Sequence, residues 1–317
     1  MMNRREWLRL LSATGVAGVM NAAVDGNLLW ATDDVSRDAS RLRVMSFNIR
    51  YATASDGENR WSWRREFLGD CIAEQSPDLL GLQEVLPEQS EWIAGYLSER
   101  ARRGEGPEYA FFGRTREPDP AQGEAVTIFY RTDRLERIVE DGDTFWVSET
   151  PEVVGSQSWN TACRRVVTWS RFRLRTLSAE AFSNAENREI YFFNTHLDHI
   201  SAEARLNGAK LLVKRIADRS NPSAPVILTG DFNCGESSEP IVFLRDSGLV
   251  DTFRMMDPDS TEVGTFHAFT GSAGKDKIDY IFVMPDLKAC AAEILRTSRD
   301  GRWPSDHFPV VADVRLP

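Results

Sequence analysis

One order of elements occurs twice in this chain, and that duplication limits the fold more than any other feature. Residues 42 to 97 read strand, helix, strand, helix, and residues 189 to 247 repeat the order. The first unit opens with "RLRVMSFNIRY", which predicts a strand over Leu42–Ile49, and continues with Trp63, Phe67, Leu68, Cys71 and Ile72 at helical spacing. Ser76-Pro77 stops that helix, because the residue before a proline is driven out of the helical region. "DLLGLQEV" is a second short strand, Asp78–Val85, and the helix after it carries Trp92, Ile93, Tyr96 and Leu97 inward. The second unit consists of the strand "EIYFFNTHLDH", a helix capped by Ser201, the strand "PVILTGDFN" and the short helix "EPIVFLRDSG". Each unit has an apolar strand face and an apolar helix stripe to bury, so the two pack as two sheets face to face with helices outside.

Between the units the sequence predicts strands only: "YAFFGRT", "AVTIFYR", "LERIV", "DTFWVSET" and "RRVVTWSRFRLR". "DKIDYIFVM" and "FPVVADVRL" are two more near the end. No linker or low-complexity run divides residues 41–317, which therefore read as one domain.

The ends of these strands carry the chemistry. In each unit the first strand ends in polar residues (Asn48; Asn194 and His196) and the second in a carboxylate (Glu84; Asp231). Two sheets packed as above bring all four ends to one rim. Asp198, Asn233, Asp279, Asp306 and His307 also stand at or beside strand ends. Such a set of carboxylate and amide oxygens with two imidazoles suits a hard divalent cation, Mg2+ or Mn2+, held by Glu84 and Asn48 in an open site. Asp231 with Asn233 two residues on gives a base beside a water-orienting amide. His196 and His307 are candidates for donating to phosphoryl oxygens, with Asp279 or Asp306 holding His307. Taken alone, an Asp-x-Asn is an Asx-turn or helix cap. The combination is what points to chemistry: three of only four histidines, His196, His199 and His307, lie within a few residues of these acids. The fourth, His267 in "GTFHAFTG", is expected to line the same cleft.

Charge narrows the substrate. A formal net charge of −10 and pI near 5.1 disfavour broad attraction to nucleic acid or an anionic membrane. No stretch reaches the eighteen apolar residues of a membrane span. Residues 1–40 read as an export leader and linker: Arg4 and Arg5 in "NRREWLRLL" precede a short apolar run, in the order of a twin-arginine signal, which predicts a periplasmic or secreted protein. Cys71, Cys163, Cys234 and Cys290 contain no Cys-x-x-Cys pair and read as ordinary thiols rather than zinc ligands.

"SFNIR", "LLGLQEV", "NTHLDH", "TGDFN", "KIDYIFV" and "SDHFPV", in that order, resemble the endonuclease/exonuclease/phosphatase superfamily, the DNase I-like phosphoesterases. The resemblance implies an α/β (α+β) four-layer sandwich and Mg2+- or Mn2+-dependent in-line hydrolysis without a covalent intermediate. Carried onto this chain, it makes Glu84 the main metal ligand with Asn48 and Asp306, and His196, Asp231, Asn233, Asp279 and His307 the catalytic set. Arg50 and Arg165 are candidates for contacting substrate phosphate, Asp198 and His267 for substrate contact. Trp61 is expected in the cleft and Trp63 in the core. The histidine of "NTHLDH" stands where abasic-site endonucleases usually carry asparagine, which argues against that branch. The expected activity is that of a monomeric phosphoesterase acting on a small phosphorylated molecule, a sugar phosphate or lipid head group. The alternatives are a Mg2+-dependent nuclease and a catalytically dead binding module. A serine hydrolase is set aside for want of a Gly-x-Ser-x-Gly elbow.

Overall fold

The alternation of side chains along the central strands decides the layering. In β1 (Arg41–Asn48) Leu42 and Val44 face one way and Met45 and Phe47 the other, and in β7 (Glu189–His196) Ile190 and Phe192 oppose Tyr191 and Phe193. The first set of each strand meets in a common core between two sheets; the second set packs under helices. The structure is a computed structural model and describes residues 40–175 and 189–317. The export-leader reading of residues 1–40 falls almost wholly outside the described residues.

Each sheet has six strands and is built around one parallel pair. In the first, β1 lies parallel to β2 (Leu79–Val85), and α1 (Trp61–Gln75) makes the crossover. In the second, β7 lies parallel to β8 (Val226–Asp231) across α3 (Ala202–Ala217). The helix following each unit is α2 (Pro87–Arg102) or α4 (Glu239–Asp246). Antiparallel strands complete the sheets: β3 (Tyr109–Phe112), β4 (Ala125–Arg131) and β12 (Val310–Arg315) in the first, β5 (Leu135–Trp146), β6 (Val166–Leu174) and β10 (Asp279–Val283) in the second. The strand orders are β11-β12-β1-β2-β4-β3 and β5-β6-β7-β8-β10-β9, where β9 is Val250–Asp251 and β11 is Lys288–Ile294. A short helix, α5 (Thr252–Met256), follows β9. The result is the four-layer α/β sandwich that the repeated units imply. Among the described residues no helix is long and apolar enough to cross a membrane.

Two local readings are corrected. "LERIV" and "DTFWVSET" are not separate strands but the two ends of β5, which pairs with β6 throughout and takes up the polar residues between them in a bulge between Ile138 and Gly142. Strand β11, "KACAAEI", was not expected. It is an edge strand of half-buried small residues with a register break at Ala289/Ala291, so it shows no clean alternation.

Between the sheets the inner face changes character along the strands. The apolar layer gives way to a buried polar one. Gln83 Nε2 donates to Asn194 Oδ1 at 2.7 Å, Thr229 Oγ1 donates to the same oxygen at 3.1 Å, and Asn194 Nδ2 donates to the Leu82 carbonyl at 2.9 Å. Gly81 permits this approach: a Cβ there would overlap Thr229 Oγ1 and lie 2.6 Å from Asn194 Oδ1. Asn194, read from sequence among the strand-end polar groups, thus ties the two sheets together beneath the rim.

Candidate active site

Two residues further along, the inner faces become ionisable. Register pairs His196 with Asp231 across β7 and β8, and Asp231 with Asp279 across β8 and β10, so three strands deliver three titratable groups side by side. From the other sheet, Asn48 at the end of β1 donates its Nδ2 to Asp231 Oδ2 at 2.9 Å and to Glu84 Oε1 at 3.1 Å. The four strand ends therefore meet at one rim.

Glu84 reaches that rim by a backbone device. Strand parity gives the inner face to Gln83 and would turn Glu84 outward. A register shift between Leu82 and Val85, with Glu84 at φ 60°, swings its carboxylate into the cleft. Arg50 (φ 56°) and Asn233 (φ 51°) are likewise left-handed. Left-handed backbone is unfavourable for residues with a Cβ, so three such residues at one site require strong local supports. Those supports are visible. Arg64, 4% exposed, donates to the carbonyls of Ile49 (2.6 Å), Arg50 (2.7 Å), Asn59 (2.9 Å) and Pro304 (3.0 Å). It clamps the loop after β1 to the loop before β12. Gln89 donates to the Arg50 carbonyl and accepts from Ala52 and Leu86 amides, and Ser305 Oγ donates to the Asn48 carbonyl at 2.7 Å. Sequence reasoning missed Arg64, Gln89 and Ser305; only the N3 glutamine of a helix start carried a signal, for Gln89.

Asp231 is the most perturbed carboxyl. Burial, and then the Asp279 charge, push it up to about 7, against the pull of His307 and the Asn48 and Asn233 hydrogen bonds. Its Oδ1 accepts from the Asn233 amide at 2.9 Å, and its Oδ2 lies 3.4 Å from His196 Nε2 and 3.9 Å from His307 Nε2. Burial alone would lower His307, but Asp279, 2.9 Å from its Nδ1, together with Asp231 and Asp306, drives it up to about 10. The Asp279 carboxylate thus favours the protonated form of His307. His196 goes the other way: burial, then Arg165, lower it well below its ordinary value. Asn233 Nδ2 donates both to the Leu197 carbonyl (3.0 Å) and to His196 Nε2 (2.9 Å). Because a carbonyl only accepts, the amide orientation is fixed and His196 is neutral.

The residues fit a hard divalent cation. Glu84 and Asp306 both face one guanidinium, Arg50, at 3.9 and 3.7 Å, so a positive group already stands between two carboxylates from different segments. The donors there are oxygens, with the Asn48 amide beside them. Arg50 is itself anchored to Asp56 by two hydrogen bonds of 3.1 and 3.0 Å.

These groups open onto a cleft of about 620 Å³. Tyr51, Phe266 and Phe269 line it along with His307, as do Arg116, Glu124, Arg165 and His199 beside His196. Of the expected substrate contacts, Arg50 and Arg165 line the cleft, and three others do not. Trp61 is buried against Trp92 in the α1–α2 packing, whereas Trp63 is 50% exposed, the reverse of the expectation. The helix starts at Trp61 itself, which turns that ring to the core. Asp198 is spent on the amides of Ala162, Ile200 and Ser201. His267 is buried, stacked 4.0 Å from Phe308, with its Nδ1 accepting from Gly271 N. Asp279, also buried, does not line the cleft; it acts there by holding His307 Nδ1 and by its charge on Asp231.

Comparison with known proteins agrees with this architecture. The model of the endonuclease/exonuclease/phosphatase family matches residues 45–307. Among solved structures, an endonuclease/exonuclease/phosphatase family protein from Bacteroides thetaiotaomicron is 29% identical with a TM-score of 0.76, covering 87% of this chain and 98% of its own. The mannosyl-6-phosphatase of the same species is 29% identical with a TM-score of 0.73, covering 87% of this chain and 100% of its own. The human Nocturnin catalytic domain shares the fold at 19% identity and a TM-score of 0.64, covering 88% of this chain and 94% of its own. No curated protein matches the sequence.

Proposed function

The chain belongs to the endonuclease/exonuclease/phosphatase family, and from that premise we propose that it is a divalent-cation-dependent phosphoesterase acting on a small phosphorylated substrate, foremost a sugar phosphate. The observation that carries the reading is the meeting of Asp231 with Asn48, His196, Asn233 and His307 at one rim, each within 4 Å of it.

Glu84, Asn48 and Asp306 would hold the cation. When bound there, Mg2+ or Mn2+ polarises a phosphoryl oxygen and offsets its charge. The protein's own groups do the rest. Asp231 takes a proton from water as the water oxygen bonds to phosphorus; the bond from phosphorus to the leaving oxygen breaks, and that oxygen, leaving with the electron pair, takes up a proton from solvent and departs as the alcohol. Asn233, bonded to both Asp231 and His196, fixes the direction from which that water approaches. His307 is held at Nδ1 by Asp279, 2.9 Å away, and that charge favours its protonated form against burial; in this reading it donates to a phosphoryl oxygen and leaves Asp231 as the base.

Three features favour a small substrate over DNA or RNA. The chain is acidic, the cleft's arginines are mostly paired with carboxylates, and one neighbour of similar length is a mannosyl-6-phosphatase. Phosphate release from a panel of sugar phosphates, phospholipid head-group esters and plasmid DNA with Mg2+ tests the reading. Release from the small esters, abolished by chelation, is expected; cleavage of DNA alone would replace the proposal with a nuclease.

A further inference from the structure

One side of the cleft is left unused by the chemistry above. Beside His196 and Glu84 stand Arg116 and Glu124, from the loop between β3 and β4, with Arg165 and His199. Arg116 forks onto Glu124, Nη1 to Oε2 at 2.9 Å and Nη2 to Oε1 at 2.8 Å. Both backbones are fixed as well: Arg116 N donates to the Glu124 carbonyl at 2.8 Å, and Trp146 Nε1 to the Arg116 carbonyl at 2.7 Å. Arg165 is 5% exposed, gives Nη2 to His199 Nδ1 at 2.9 Å, and has no hydrogen-bond partner at Nε.

A locked guanidinium–carboxylate pair has a definite preference. The fork uses two of the carboxylate's roughly four acceptor positions and two of the guanidinium's five N–H groups, so acceptors and donors remain side by side. A second phosphate would meet the Glu124 charge as well as Arg116 and gain little. A hydroxyl group both donates and accepts and satisfies the two together. Pre-organisation matters here, since a rigid pair loses no side-chain freedom on binding.

We propose that the Arg116–Glu124 pair, with Arg165 behind it, reads hydroxyl groups on the alcohol half of the substrate, which makes the substrate the monophosphate of a polyhydroxylated alcohol of sugar type. This rests on the phosphoesterase reading of the same cleft.

Steady-state assays of the full chain with Mg2+ compare a hexose 6-phosphate with p-nitrophenyl phosphate, which has no aliphatic hydroxyls. Glu124→Gln is expected to lower kcat/KM for the hexose phosphate by about 10- to 100-fold, chiefly through KM, and to change it for p-nitrophenyl phosphate by less than about threefold. Arg116→Lys, which keeps the charge and loses the fork, gives the same pattern. Equal losses on both esters, or none on the hexose phosphate, overturn the assignment. A wild type active on p-nitrophenyl phosphate and inert toward every polyol phosphate also overturns it, while leaving phosphoester hydrolysis in place. Inactivity toward both removes the hydrolase reading and this inference with it.

Discussion

At the scale of single residues, the cleft depends on groups whose charge is set by what surrounds them. Asp198 is an example outside the chemistry. Burial would raise its carboxyl, but the Ser201 and Ile200 amides, the Arg165 charge and the Ala162 amide hold it below the usual carboxylate range. A carboxyl depressed in the folded state contributes stability that is fully present above its unfolded value, about 3.9, and is lost as pH falls through the folded one. Asp198→Asn is therefore expected to destabilise by about 1–3 kcal/mol at pH 7, with the gap closing as both proteins approach pH 2. A gap of unchanged size at pH 2 in urea titrations contradicts this. Residue type and spacing made Asp231, His196 and His307 legible, because the first two stand where an apolar run stops and the third where one begins. Trp61 and Trp63 were misread because helical phase depends on where the first turn begins, and nothing in "ENRWSW" marks that start. Arg64 was invisible for a related reason: an arginine within an amphipathic helix looks solvated until the carbonyls it binds, 15 and 240 positions away, are in place.

At the scale of elements, the two parallel strand pairs position the site and Gly81 sets how closely they approach. Gly81→Ala forces the Thr229 and Asn194 side chains apart and unpicks the polar layer below Asp231. The expected cost is about 1–3 kcal/mol, the range for overpacking a filled core, read from equilibrium denaturation; unchanged stability would show that the sheets tolerate separation there. The strand-helix-strand-helix units could be read from sequence because their apolar runs are long and their stops are strong, as at Ser76-Pro77. The bulge that merges two apparent strands into β5 could not, since Glu140, Asp141 and Gly142 also spell a turn. Nor could the twist at Glu84, where parity would have placed the carboxylate on the wrong face.

At the scale of the whole molecule, two similar units face each other and each contributes strand ends to one cleft. One sheet brings Asn48 and Glu84, the other His196, Asp231 and Asp279, and Asp306 and His307 close the site from the last connection. Neither sheet alone would place the proposed base, Asp231, beside the proposed cation ligands, Glu84 and Asn48. The sandwich is therefore part of the mechanism proposed, because it holds opposite ends of the reacting geometry on separate rigid layers. The most direct measurement is phosphate release from a hexose 6-phosphate with Mg2+, comparing the wild type with Asp231→Asn and recording the thermal midpoint of each. The account predicts a loss on the order of 10²–10⁴-fold in kcat for a protein that still folds; an Asp231→Asn enzyme that turns over at the wild-type rate would contradict it.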